Sequence, residues 1–154
     1  MLFSKSFGYA IRGILYIATS SDSGAPVQTE AIARELGVPM HFTRKVLKQL
    51  AQKGILVSSK GQRGGFLLAE GVLEKPLIEL VEATDGVALF HTCILRLRAC
   101  DHRNPCPMHE HFKGIQDDIR TVLSSHTIGG LLSPGRAALL RSLMVEGQFE
   151  KFAR

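Results

Sequence analysis

The stretch from Val27 to Ala69 limits the fold more than any other, because its apolar spacing and its breakers allow one order: helix, turn, helix, hairpin. Thr29 suits an N-cap, and Ile32, Ala33 and Leu36 give the short helix behind it one apolar side. Gly37 stands where a left-handed residue would end that helix. Pro39 opens a second helix at or near its first turn, where its missing N–H costs nothing. Phe42, Val46, Leu47 and Leu50 line one face of this helix, while Met40, His41, Thr43, Arg44, Lys45 and Lys48 fall largely on the other. Past Lys53-Gly54, Ile55 and Val57 alternate with Leu56 and Ser58 as a strand. A second strand, Phe66 to Ala69, returns after the loop Ser59-Lys60-Gly61-Gln62-Arg63-Gly64-Gly65. Its three glycines permit a tight exposed tip, on which Lys60 and Arg63 place two cations.

This is the pattern of a winged helix-turn-helix, in which the second helix enters the major groove and the wing grips phosphate or the minor groove. The charge agrees. Residues 1–68 hold nine Lys or Arg against three Asp or Glu, a net of +6, whereas residues 69–154 are at −1. From Met40 to Gly65 there are six basic residues and no acidic one. Solvated faces usually mix signs, so a one-sign stretch on this motif favours a polyanion, and double-stranded DNA is the expected partner. The candidate contacts are Lys5, Gln28, Thr29, Pro39, Met40, His41, Thr43, Arg44, Lys45 and Lys48, with Ser59, Lys60, Gly61, Gln62, Arg63 and Gly64 on the wing. The alternative, a helix pair and hairpin that merely pack together, would not require a basic recognition face beside a basic wing tip.

All the cysteines in the chain lie just beyond this unit, in CILRLRACDHRNPCPMHEH. Cys93, Cys100, Cys106 and His109 are spaced C-x(6)-C-x(5)-C-x(2)-H, and three thiolates with one imidazole complete a four-ligand set for zinc or a small iron–sulfur cluster. A single cysteine is often a small buried hydrophobe, but three in a stretch rich in arginine and proline do not resemble core positions. Their odd number argues against a disulfide framework. His91, His102, His111 and Asp101 compete with His109 for the fourth place. A structural zinc, or a metal-free thiol switch working through a disulfide, remains open beside the cluster. An enzyme is disfavoured, since no pocket-forming motif or orienting carboxylate pattern accompanies the thiols.

At 154 residues the chain fits one domain and an appendage. No run of eighteen apolar residues is present, and Arg12 interrupts the N-terminal apolar stretch, so neither a membrane partner nor a signal segment is expected and the location expected is cytoplasmic. Phe7, Ile11, Ile14, Leu15 and Ala18 recur at helical spacing instead. A short helix opened by Pro76 ends near Asp85-Gly86. Phe112, Ile115, Ile119, Val122 and Leu123 give a helix of about four turns beginning at Pro107. A DNA reader of this size usually needs two half-sites, which favours a dimer built on that helix. The expected class is therefore mainly α with a small β-hairpin wing, a winged helix-turn-helix domain plus a long dimerisation helix. Its parts are a DNA-binding domain over 1–88, a cysteine-rich sensor loop over 89–110, the dimerisation helix over 107–132, and a C-terminal tail or extra helix over 133–154.

Lys5-Ser6-Phe7-Gly8-Tyr9-Ala10, the helix-turn-helix ending Lys53-Gly54-Ile55-Leu56, the wing Arg63-Gly64-Gly65-Phe66-Leu67-Leu68 and the cysteines occur in that order. Together they resemble the Rrf family of bacterial winged-helix transcriptional regulators, the IscR- and NsrR-like proteins, over residues 1 to about 132. The resemblance implies a homodimer on palindromic operators, often a repressor, sensing iron–sulfur, nitric oxide or redox status through a cluster on these cysteines. A two-iron two-sulfur cluster is favoured, with zinc as the alternative. His109 matches the histidine that follows the third cysteine in IscR-like members. The chain departs from the pattern in having one residue more than usual between its first two cysteines. Gly8 stands where NsrR-like members can draw a carboxylate from the partner subunit, and Arg44 where IscR carries an acidic residue.

Overall fold

The computed structural model describes residues 3–20, 24–61, 63–93, 95–98 and 100–132, without the side chain of Leu89. Gln62 of the wing and the expected tail or helix over 133–154 lie outside the described residues. The elements are α1 (Lys5–Ser20), α2 (Thr29–Glu35), α3 (Met40–Gln52), β1 (Leu56–Ser59), β2 (Gly65–Leu68), α4 (Leu77–Thr84) and α5 (His109–Ser125). Short 3₁₀ turns cover Val72–Glu74, Val87–Phe90 and Gly129–Leu132. The class is the expected one: among the described residues, five helices and one antiparallel hairpin, with Leu56 opposite Leu68 and Ser59 opposite Gly65. No helix among the described residues is long and apolar enough to cross a membrane.

One apolar core carries the helix-turn-helix. Ala10, Ile14 and Ile17 of α1, Ile32 of α2, Leu47 and Leu50 of α3, and Leu80 and Val81 of α4 are all essentially inaccessible to solvent. Ser4 begins α1 as its cap, its Oγ accepting from the Phe7 N–H at 3.2 Å. The Ser4 N–H and hydroxyl both donate to Asp85, which fastens the start of α1 to the end of α4. Arg12, buried within α1, donates its guanidinium to the Leu36 carbonyl at the C-terminus of α2. Burial holds the Arg12 pKa below its ordinary value, and the carbonyl acceptor offsets part of that desolvation.

The turn between α2 and α3 is a Schellman motif. Gly37 sits at φ +59°, its N–H donating to Arg34 O at 3.2 Å, while the Val38 N–H donates to Ala33 O at 3.0 Å. Pro39 follows as the N-cap of α3. Thr29 departs from expectation: Gln28 holds the N-cap position and Thr29 is the first helical residue, with its side chain buried. The reason is a bridge between Val27 and Phe66, whose two backbone hydrogen bonds, both 2.9 Å, hold the chain extended up to Gln28. That bridge also fixes Gly65, since a Cβ there would stand 2.3 Å from Val27 O.

Three further details depart from the sequence pattern. In the strand, Leu56 faces the core and Val57 faces solvent. At α5 the helix begins at His109 rather than Pro107, because the His109 N–H closes a turn on Cys106 O at 2.9 Å. Its apolar stripe also splits: Leu123 is buried and Phe112 and Ile119 are partly so, but Ile115 and Val122 are about half exposed. The exposed pair lies roughly 70° round the helix from the buried set.

Glycine chemistry yields the first prediction. At Gly37 nothing stands within 4 Å of an added Cβ, so Gly37→Ala meets only the left-handed backbone cost, about 1–2 kcal/mol. Gly65→Ala meets backbone that cannot yield and should be the more destabilising. Urea midpoints compare the two, and a Gly65→Ala midpoint at or above that of Gly37→Ala would contradict the assigned bridge.

Candidate functional site

The first candidate surface is formed by α3 and the hairpin. His41, Arg44, Lys45 and Lys48 are exposed on α3, as are Ser59, Lys60, Gly61 and Arg63 on the wing, while Gly64 is partly covered. Gln28 and Pro39, just ahead of α2 and α3, are exposed, as is Lys5 in the first turn of α1, and Met40 is half-buried. Thr43 is corrected: its side chain is buried and its hydroxyl donates to Pro39 O at 3.1 Å. Thr43, Val46, Leu47 and Leu50 follow i, i+3, i+4, i+7, so the buried stripe of α3 runs through Thr43. Phe42 correspondingly moves from the expected core to the surface, 46% exposed. The same i, i+3, i+4, i+7 spacing stands in the sequence, where a phenylalanine one position earlier competes with Thr43 for the apolar stripe.

Arg44 Nη2 lies 3.0 Å from Glu30 Oε1, a partner that sequence reasoning missed. Both side chains are more than half exposed, so solvent screening leaves the pair worth roughly 0–1 kcal/mol. A phosphate or base edge can displace Glu30 at little cost. An open groove of about 540 Å³ separates α2 and α3 from the wing, lined by Glu30, Lys48, Ser59 and Lys60 among others.

The second candidate is the cysteine loop. Its thiols converge: the three Sγ atoms lie within 4.8 Å of one another, and Cys93 Sγ is 3.7 Å from Cys106 Sγ. Local turns bring them together. The Arg96 N–H donates to Cys93 O at 2.8 Å with Arg96 itself at φ +55°, which folds the chain back after the first cysteine. Asp101 Oδ1 accepts from the N–H groups of Arg103 (2.8 Å) and Asn104 (2.9 Å), closing a second turn before Cys106. The Cys106 N–H points at Cys100 Sγ at 3.4 Å. Gln116 of α5 donates its side-chain amide to Thr92 O at 3.1 Å and ties the loop's entry to that helix.

His109 joins this group from the first residue of α5. Its Nδ1 is 3.2 Å from Cys100 Sγ, although it does not share the mutual spacing of the three thiols. Its Nε2 is buried with no hydrogen-bond partner among the described residues. His102 packs edge-on against His109, ring centroids 5.3 Å apart. A cavity of about 230 Å³ is lined by the three cysteines, His109, His102, His91 and Asp101. His111 does not line it and is exposed.

The thiols are not equivalent. Cys93 is drawn below the ordinary thiol pKa, first by the backbone N–H of Leu97, with Leu95 and the neighbouring thiols adding to it against desolvation. Cys100 is pushed up: the Cys106 N–H pulls it down, but desolvation and the thiols of Cys106 and Cys93 outweigh that pull. A metal must displace the protons that remain, so occupancy of such a site rises with pH. Three soft thiolate donors at this spacing and a buried nitrogen lacking a partner are compatible with a metal or iron–sulfur cofactor.

Residues 3–134 match the Rrf2 family, described as an iron-dependent transcriptional regulator. The chain is 29% identical over 135 residues to an Aquifex aeolicus protein assigned as a helix-turn-helix-type transcriptional regulator, covering 86% of this chain and 92% of that one. It is 25% identical to the transcriptional regulator IscR of Cronobacter sakazakii, covering 81% and 76%. The solved structure of the B. subtilis global cysteine regulator CymR superposes with a TM-score of 0.69 at 19% identity, over 86% of this chain and 97% of that one. The T. potens IscR structure gives 0.66 at 17% identity, over 96% and 94%. With the winged helix-turn-helix in place and the match running from α1 past α5, the chain belongs to the Rrf2 family of DNA-binding transcriptional regulators.

Proposed function

We propose that this protein is a homodimeric repressor that binds a palindromic operator and whose affinity depends on an iron–sulfur cluster, two-iron two-sulfur, held by Cys93, Cys100, Cys106 and His109. The observation that carries the reading is the convergence of three thiols at the root of α5, beside a histidine whose buried nitrogen has no partner among the described residues. When bound, such a cluster supplies a centre sensitive to redox state, to nitric oxide and to iron–sulfur supply. The protein's own residues do the rest. Cys93, Cys100 and Cys106 tie together turns that otherwise rest on a few backbone hydrogen bonds, and His109 joins them to the first turn of α5.

A chain of contacts leads from there to the DNA surface. Leu123 of α5 is buried in the shared core, where α5 packs on α4. Gln49 of α3 donates its side-chain amide to Ala83 O of α4 at 2.7 Å. A change in the loop that moves α5 therefore bears on α4 and the recognition helix, and the response is limited to the difference in cluster affinity between the two states. Dimerisation is supported by Ile115 and Val122, whose exposed side chains run along the outer side of α5. A second reading, a metal-free thiol switch, is favoured by the 3.7 Å approach of Cys93 and Cys106, which oxidation would join as a disulfide.

Anaerobic absorption with iron, sulfide and zinc analysis of freshly purified protein tests the cofactor. Visible charge-transfer bands with iron and sulfide are expected. Colourless protein carrying zinc would replace the cluster by structural zinc, and metal-free protein that responds to oxidant would favour the thiol switch. Replacing any one of Cys93, Cys100 or Cys106 by Ala should abolish cluster incorporation while circular dichroism stays that of the parent, because none belongs to the core. Full iron and sulfide in all three variants would overturn the ligand set.

His109 has its own signature. Imidazole ligation raises a cluster's potential relative to thiolate. His109→Cys should keep the cluster at a lower potential, and His109→Ala should shorten its lifetime. Parental spectrum, potential and lifetime in both would move the fourth ligand elsewhere.

On the DNA side, Arg44→Ala should relax base preference and cost about 1–3 kcal/mol on a selected operator, the worth of a bidentate base contact. Arg63→Ala should weaken all sequences alike and reduce the salt slope by about 1. Parental affinity in both variants would contradict this assignment of contacts.

A further inference from the structure

Phe42 is the most exposed phenylalanine among the described residues, and it stands in the first turn of the recognition helix. Its ring is braced on one side by His41, centroids 4.3 Å apart, and more loosely by Tyr9 of α1 at 6.4 Å. The exposed face of the helix around it is otherwise polar and cationic, with Lys45 one turn on and Arg44 at the opposite edge. An apolar ring held in that company has few uses. Recognition helices meet base edges through their N-terminal residues. Along the major groove those edges offer hydrogen-bond donors and acceptors, together with one apolar group, the 5-methyl of thymine. A phenyl ring can neither donate nor accept, and set against a phosphate or a base amide it would only strip water from a polar group.

We propose that Phe42 reads a thymine methyl group in each operator half-site. The proposal rests on the DNA-binding reading above and adds a specificity-determining residue to it. Lys45, one turn on along the same side of the helix, then supplies charge and hydrogen bonds, Arg44 acts from the opposite edge of the exposed face, and Phe42 supplies the discrimination they lack, thymine from cytosine. The rings of His41 and Tyr9 act as positioning groups that keep the phenyl from folding back along the helix. A surface phenylalanine without a role would bind no base in particular, and that is the contrast to measure.

The experiment selects an operator from a random duplex pool with the full-length protein, then replaces each thymine singly by deoxyuridine, which keeps the base pair and removes the methyl. One thymine per half-site should weaken parental binding about fourfold on replacement, the transfer worth of one methyl-sized group. Phe42→Ala should bind the thymine and deoxyuridine forms alike, and Phe42→Leu, which stays apolar, should keep part of the difference. An operator with no thymine sensitive to replacement overturns the proposal on the parent protein alone, whatever the variants do. Sensitivity undiminished in Phe42→Ala also overturns it, because another group would then read the methyl. A parent that selects no sequence at all removes the DNA-binding reading itself, a result distinct from either.

Discussion

Burial of Leu47 and Leu50 in the core shared by α1, α3 and α4 is the interaction on which the rest of the molecule depends. Both side chains are at most 1% exposed, and deleting such a side chain costs about 2–5 kcal/mol. Because α3 is held by its inner stripe, rotation about its axis is fixed, and with it the side chains that face outward. Thr43 lies on that inner stripe, so its neighbours Phe42 and Arg44 are turned to the surface. The same core receives Phe66 of the wing, whose backbone pairs with Val27 just ahead of α2. Recognition helix and wing are therefore parts of one packed body.

The cysteine loop obeys different physics. Leu95, Arg96, Leu97 and Arg98 are exposed, so this stretch gains little from apolar burial. What shapes it are hydrogen bonds from backbone N–H groups to carbonyls and to Asp101, each worth about 0.5–1.5 kcal/mol net. A loop so held can be rearranged by a ligand with several bonds to it, which a segment packed in the core could not. The core and the loop meet at α5. Its first residue, His109, touches Cys100, and Leu123 near its far end is buried with the core. An event at the thiols is thereby given a rigid element on which to act.

Much of this was legible in the chain itself. Gly37 at positive φ, Pro39 at the entry to α3 and the Lys60–Arg63 wing tip follow from local chemistry, in which residue type fixes backbone geometry within a few positions. The cysteine spacing likewise pointed to three thiols acting together, since thiols in a polar, proline-bearing stretch are unlike core positions, and their Sγ atoms do converge. Four of the errors have one common source. Thr29 as N-cap, Phe42 as core, Thr43 as surface and the single stripe of α5 follow from residue type or from one helix taken alone. Each was decided by a partner distant in sequence: Phe66 opposite Val27, the α1 and α4 side chains around α3, and α4 against one flank of α5.

The sequence by itself determined the order of elements, the class of fold, the basic character of one surface and the identity of the four candidate ligands, because these depend on periodicity, on breakers and on donor chemistry. Only the tertiary structure decided that the three sulfurs come within 4.8 Å of one another, that His109 keeps a buried nitrogen without a partner among the described residues, that Glu30 lies beside Arg44, and that a phenyl ring faces outward from the recognition helix. The reason is geometric. Spacing along a chain limits how near two side chains can come, but packing between elements chooses which face turns inward and which is left to meet a ligand.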